Sequence, residues 1–199
     1  SNCYLGSGCA GHRYGVVSEV MPQRKHVLIL GCPAVGKLTT AKSLSRQLNC
    51  PVFDNAKIVD LVSLIHPYGT AEFRVYRDFL RHSFYEEVLA NSNISGLIST
   101  NVLRHPDNWV YFEGVEKKFK ESGWETKYIL LTASIGELLN RAASESRKSK
   151  TTINSKEQLL IWLKTNPLCN SINNHACHVI DTTESDAEQT ANKIKSFLV

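Results

Sequence analysis

Ten consecutive residues, Gly31-Cys32-Pro33-Ala34-Val35-Gly36-Lys37-Leu38-Thr39-Thr40, follow the apolar run Val27-Leu28-Ile29-Leu30. Glycines where a buried strand turns into a helix let backbone N–H groups approach and encircle an anion. The positive end of the following helix favours the same charge. A lysine at position 37 can then reach the outer phosphates of a nucleotide, and a nearby hydroxyl can meet Mg²⁺. Leu38 stands where a hydroxyl residue is commonest, so that hydroxyl falls to Thr39. The expected nucleotide contacts are Gly31, Pro33, Ala34, Val35, Gly36, Lys37, Leu38, Thr39 and Thr40.

Phosphoryl transfer needs positioning, a metal, cations on the phosphate oxygens and a group that orients the attacking oxygen. Asp54 ends the second apolar run, at the edge where open α/β sheets bind ligands. It is expected to orient an acceptor or to share Mg²⁺ with Thr39, although an Asp there also caps a helix well. Asn55 is its neighbour. Arg74, Arg77 and Arg81 recur at i, i+3 and i+7, which places them on one helix face. They are expected to hold an anionic acceptor, against the plainer possibility of a solvated face beside Asp78 and Glu86. Arg141 and Arg147 flank a helix end and are expected to close over the nucleotide as catalytic cations with Lys37 and Asp54. The alternative is a helix C-terminus that attracts cations. The third strand ends Ile98-Ser99-Thr100-Asn101 with no carboxylate, so Thr39 and Asp54 are expected to supply the Mg²⁺ contacts, with Thr100 or Asn101 as candidate helpers and Thr100 also expected at the acceptor. A zinc site from Cys169, His175, Cys177 and His178 fits none of the usual ligand spacings. His105 and Trp109 fall near the expected crevice, and Trp109 reads more simply as core.

The elements that must position these groups follow from periodicity. Strands are expected at about 26–30, 51–53, 94–99, 128–131 and 178–181. Helices are expected at about 38–48, 58–65, 71–90, 106–122, 135–143, 156–164 and 187–197. Strands interleaved with helices imply parallel βαβ crossovers, and the lack of clean alternation implies strands buried on both faces.

At 199 residues and 42% hydrophobic, the chain suits one domain with a proper core. Residues 1–20, rich in Gly, Cys and Ser, read as a flexible extension or remnant; 21–199 carry the domain, with a lid near 141–155. No apolar stretch approaches the roughly 20 residues of a membrane span. Net charge is +4, and the cations concentrate at 141–156, where five face one carboxylate. A basic segment beside a phosphate loop suits a polyphosphate better than nucleic acid. Six scattered cysteines, one inside the loop, suggest reduced thiols and a cytoplasmic setting. The expected partners are a nucleotide and a small-molecule acceptor, for a monomer or homodimer.

The Gly-x-Pro-x-x-Gly-Lys-x-Thr arrangement resembles the nucleoside-monophosphate-kinase and shikimate-kinase group of P-loop proteins. Gly69 followed by Phe73-Arg74 is similar to the shikimate kinases' substrate helix, whose Arg binds the acceptor's carboxylate. Thr70 and Arg77 replace the acidic residues expected around it, and Ser99-Thr100-Asn101 replaces their glycine turn, so shikimate itself is not the expected substrate. Val52–Leu61, Gly96–Asn101, Leu138–Lys150 and Val179-Ile180-Asp181-Thr182-Thr183 look like a group of AAA-type, adenylate-kinase-like ATPases. The resemblance implies an αβα sandwich with a five-stranded parallel sheet in order 2-3-1-4-5, ATP with Mg²⁺, and a lid. The expected activity is ATP-dependent phosphotransfer to a small-molecule hydroxyl or phosphate. The alternatives are a nucleotide-binding regulatory module with slow hydrolysis, and a nucleic-acid end kinase.

Overall fold

Alternate side chains of a strand point to opposite faces, and both faces of this sheet are apolar. Val27 and Ile29 of β1 (Lys25–Gly31) pack on one side, Leu28 and Leu30 on the other. The computed structural model describes residues 23–104, 108–144, 153–166 and 177–198. The remaining strands are β2 (Val52–Asp54), β3 (Gly96–Thr100), β4 (Glu125–Thr132) and β5 (Cys177–Asp181). All pairings are parallel, in the order β2-β3-β1-β4-β5. The helices are α1 (Lys37–Leu48), α2 (Asn55–Ser63), α3 (Ala71–Ala90), α4 (Trp109–Glu121), α5 (Ile135–Ala142), α6 (Lys156–Thr165) and α7 (Ala187–Ser196).

Two helical layers sandwich the sheet. Ala41 and Leu44 of α1, Leu138 of α5, Leu159 of α6 and Ile194 of α7 share a core with Val27, Ile29, Ile98 and Ile129. On the opposite face α3 and α4 contribute Tyr85, Val88, Phe112, Val115 and Phe119, against Phe53, Leu97, Leu28 and Leu130. Parallel order, helices on both faces and the crossover of β2 and β3 past β1 give the P-loop kinase type of α/β fold.

Local chemistry sets the boundaries. The Asp54 side chain accepts from Ala56 N, so α2 begins at Asn55, earlier than the apolar periodicity suggested. Thr70 caps α3, and Asp186 with Gln189 forms a reciprocal capping box on α7. α1 ends where Asn49 turns left-handed (φ 52°). β4 starts at Glu125, before its apolar stretch, because it pairs with β1 from Lys25 onward. The expectation that every strand is buried on both faces fails at β5. This strand lies at the sheet edge, and Val179 is 59% exposed. His105, Pro106, residues 1–20, Cys169 and His175 lie outside the described residues, as does most of the expected lid.

Among the described residues one histidine is buried in the core. His26 on β1 is fully buried, stacks on Phe119 at 4.2 Å and shares a 2.9 Å hydrogen bond with Ser99 Oγ. Burial pushes its pKa down to about 3, so it is a neutral packing group.

Candidate active site

The phosphate loop is built by backbone that only glycine tolerates at two points. Gly31 has φ 142°, and a Cβ there would lie 2.4 Å from the Leu131 carbonyl oxygen of the adjacent strand. Gly36, immediately before α1, has φ 100°. Between them Val35 is buried, and its N–H reaches Cys32 O at 3.4 Å. Lys37 folds back over the loop, donating to Gly31 O at 2.9 Å and Cys32 O at 2.6 Å. Cys50 and Cys177 are free thiols.

Arg141, on α5, does not swing free above this loop. Its Nε donates to Glu137 Oε1 at 2.7 Å, Nη1 to Val35 O and Thr182 Oγ1 at 3.2 and 3.0 Å, and Nη2 to Thr182 O at 2.6 Å. The guanidinium thereby ties the phosphate loop to the turn after β5. Thr182 Oγ1 also donates toward Val35 O and Thr132 O.

A cavity of about 1120 Å³ opens from the loop along the carboxyl edge of the sheet. Pro33, Ala34, Gly36, Lys37, Leu38 and Thr39 form its loop end. Asp54, Asn55, Arg77, Asp78, Arg81 and Thr100 line the remainder, with Arg104 and Tyr111. Trp162 and Ile153 reach it from the α6 side. Thr40 is buried and faces a second, smaller cavity of about 220 Å³ between α1 and the turn after β5, which Arg141, Thr182 and Asp186 also line.

Asp54 is 7% exposed and fixed from two sides, by Ala56 N at 3.2 Å and Thr100 Oγ1 at 3.0 Å. It is therefore a helix cap and a cavity carboxylate at once. Asn101, where a carboxylate was sought, is buried and accepts from Asn55 Nδ2 at 3.3 Å. Asn55 Oδ1 in turn accepts from Arg81 Nε at 2.6 Å. Arg81 is 7% exposed, its guanidinium lies 5.1 Å over the Tyr111 ring, and burial lowers its pKa from the ordinary value.

Of the three arginines on the α3 stripe, Arg77 and Arg81 face the cavity and Arg74 does not. Arg74 is exposed and donates to Gly69 O at 2.7 Å, closing the turn before α3. Arg147 lies outside the described residues. Sequence reasoning missed Arg104, Tyr111 and Trp162 as cavity residues. Arg104 follows β3 at the ligand-binding edge and could have been found by that rule; no local signal marks Tyr111 or Trp162. The oxygen donors suit Mg²⁺: Thr39 and Asp54 line the same cavity, and this metal is ordinarily held by few protein oxygens plus nucleotide phosphates. Among the described residues no helix is long and apolar enough to cross a membrane.

Loop, sheet order and carboxyl-edge cavity together define a P-loop protein of the kinase-like type. The AAA domain model matches residues 27–162, and the chain belongs to that family. None of the curated proteins matches it significantly. Among solved structures it is similar to a candidate kinase from Chloroflexus aurantiacus, with TM-score 0.62 and 14% identity over 87% of this chain and 98% of that one. It is also similar to shikimate kinase from Acinetobacter baumannii in complex with shikimate (TM-score 0.56, 16% identity, 89% and 94% coverage). A sugar kinase from Janibacter sp. gives TM-score 0.57 at 16% identity, covering 89% of this chain and 95% of that one. At these identities the likeness is one of fold.

Proposed function

We propose that the protein is an ATP-dependent phosphotransferase that moves the γ-phosphoryl group to a hydroxyl or phosphate of a small molecule. The observation that carries this is continuity: one cavity joins the phosphate loop, with Lys37 and Thr39, to Asp54 and the inward-facing arginines of α3. Loop amides and Lys37 would hold the phosphates. Thr39 and Asp54 would hold Mg²⁺, whose contribution is to neutralise charge on the transferring group. Asp54, fixed by Thr100, would orient the acceptor oxygen, with Asn55, Arg77 and Arg81 placing the rest of the acceptor. Arg141 would keep the loop in its nucleotide-ready shape, and Arg147 would add charge from the basic segment. A cytosolic setting, where ATP is abundant, suits this activity.

The test is ADP release from ATP–Mg²⁺ across nucleosides, nucleoside monophosphates, aminoglycosides and small hydroxy acids. One acceptor class should raise the rate well above ATP alone. Lys37→Ala should lower that rate on the order of 10²–10³-fold with unchanged melting temperature. Asn101 in place of a carboxylate after β3 favours a second reading, a regulatory module with slow hydrolysis. Tight ATP binding with a flat acceptor panel would select it.

A further inference from the structure

Helix α3 buries only one of its sides. Phe73, Arg81, Tyr85 and Val88 are inside. Val75, Tyr76 and Phe79 project from the side opposite Arg81, Tyr85 and Val88 and are exposed. With Glu72, His82 and Glu86 they fall within about 120° at 100° per residue. Helix α2 extends this outer face. Backbone bonds from Leu64 N to Leu61 O, and from Ile65 and His66 N to Val62 O, carry its turn past Ser63. Leu61, Leu64 and Ile65, at i, i+3 and i+4, therefore share one side. His66 packs on Tyr76 with ring centroids 5.9 Å apart, and Tyr76 on Phe79 at 6.2 Å, which joins the two stripes.

The six apolar residues of this face are between 39 and 80% exposed, and none of them lines the cavity. The site described above therefore does not account for them. Six such side chains sum to several hundred Å², the upper end of what a monomer leaves in one patch and close to the ~800 Å² that each partner gives a standard interface. The ends of the face differ in charge. Glu72, in the first turn of α3, is exposed and makes no ion pair among the described residues. At the other end His82 lies 3.1 Å from Lys118 Nζ of α4, and Lys118 also ion-pairs with Glu86. An acceptor-only carboxylate thus stands at one end of the apolar stripe and nitrogen donors at the other.

We infer that the outer face of α2 and α3 is the interface of a two-fold symmetric homodimer. The two copies of α3 run antiparallel, with the axis at position 77, so residues equally far from that position meet. Val75 then packs on Phe79 of the second copy. The same register sets Glu72 against His82 and Lys118 of the second copy, so apolar contact and charge agree on one alignment. A two-fold interface uses the same patch twice and must complement itself, and an apolar centre with unlike ends meets that demand. A lipid surface would want cations around the apolar stripe, whereas Glu72 and Glu86 flank this one. Arg77 and Asp78, which line the cavity, lie between Tyr76 and Phe79 in the chain. Pairing therefore braces the helix that walls the cavity. The dimer does not depend on the phosphotransferase reading and needs no nucleotide.

The experiment is sedimentation velocity of the full chain from about 1 to 100 μM. A species of twice the 22.3 kDa chain mass should grow in with concentration. Phe79→Glu should raise the dimer dissociation constant by about 30-fold or more with an unchanged melting temperature, because the position is exposed in the monomer. Ile161→Glu, at an equally exposed apolar residue of α6 in the opposite helical layer, should leave dimerisation as it was. Glu72→Lys should weaken the dimer about three- to tenfold, and adding His82→Glu should restore it if the register is right. A chain that stays monomeric throughout would overturn the inference, as would a dimer that Ile161→Glu disrupts and Phe79→Glu does not. Failure of the double charge exchange to restore the dimer would overturn the antiparallel alignment. A monomer that instead co-sediments with phosphatidylcholine vesicles, and no longer does so as Phe79→Glu, would assign the face to a lipid surface and equally overturn the dimer.

Discussion

The two ends of the cavity are made in opposite ways. The nucleotide end comes from one short stretch of chain, 31–39, and its recognition groups are chiefly backbone, shaped by the positive φ angles of Gly31 and Gly36. The other end, which we propose receives the acceptor, is assembled from side chains on β2, α2, α3, the β3 terminus and α4, which satisfy one another through Arg81, Asn55, Asn101 and Asp78. A backbone cradle has one shape and tolerates few substitutions. A side-chain network can be re-tuned residue by residue, and this is where specificity within a shared fold is expected to reside.

Gly31→Ala tests this most severely. Its new Cβ would meet the Leu131 carbonyl, and the cost should be about 3 kcal/mol or more. The melting temperature should fall by roughly 6–12 °C. A small change would mean that the strand end yields, and the cradle would not be rigid.

In the core, near the start of β1, His26 offers a pH test. Its folded pKa, about 3, lies below the ordinary 6.5. The unfolded chain therefore takes up the proton first as pH falls. The stability present above pH 6.5 should be lost between 6.5 and 3, at roughly 1.4 kcal/mol per pH unit. Melting curves of the wild type and His26→Phe across pH 7 to 4.5 should diverge by that slope. Parallel curves would show that the histidine is solvated.

Arg141→Lys sharpens the contrast further. One ammonium cannot span Glu137, Val35 and Thr182 together. If Arg141 braces the loop, KM for ATP should rise about tenfold with a smaller change in kcat. A fall in kcat at unchanged KM would make it a charge clamp instead. The smallest effect is expected at Arg74, which lies outside the cavity. Arg74→Ala should change acceptor KM by less than about twofold, against about tenfold for Arg77→Ala. Equal effects would place Arg74 at the site after all.

The same division explains what the sequence disclosed. The strands, the loop and the long α3 are written in local patterns: apolar runs, glycines beside a lysine, and an i, i+3, i+7 stripe, whereas the strand order is implied only by the family resemblance. Periodicity also singled out Arg77 and Arg81 without saying which way the stripe faced. The direction comes from tertiary packing: Arg81, Tyr85 and Val88 are buried further along the same face of α3, whereas Arg74, in the first turn, is exposed. Arg141 was legible as a cation near the nucleotide. Its ties to Val35 and Thr182 span 106 and 41 residues and leave no mark in local spacing. β5 misled because an apolar run is compatible with either a central or an edge strand, and only the pairing order distinguishes them.

Three tryptophans are distributed unevenly through the molecule. Trp109 and Trp124 are sealed in the core at 7% and 2% exposure, whereas Trp162 borders the cavity. The protein therefore carries its own optical reporter. Emission from two indoles should stay nearly constant as ligands arrive, so a change in intrinsic fluorescence would read out filling of the cavity at position 162, without a label and before any acceptor has been found.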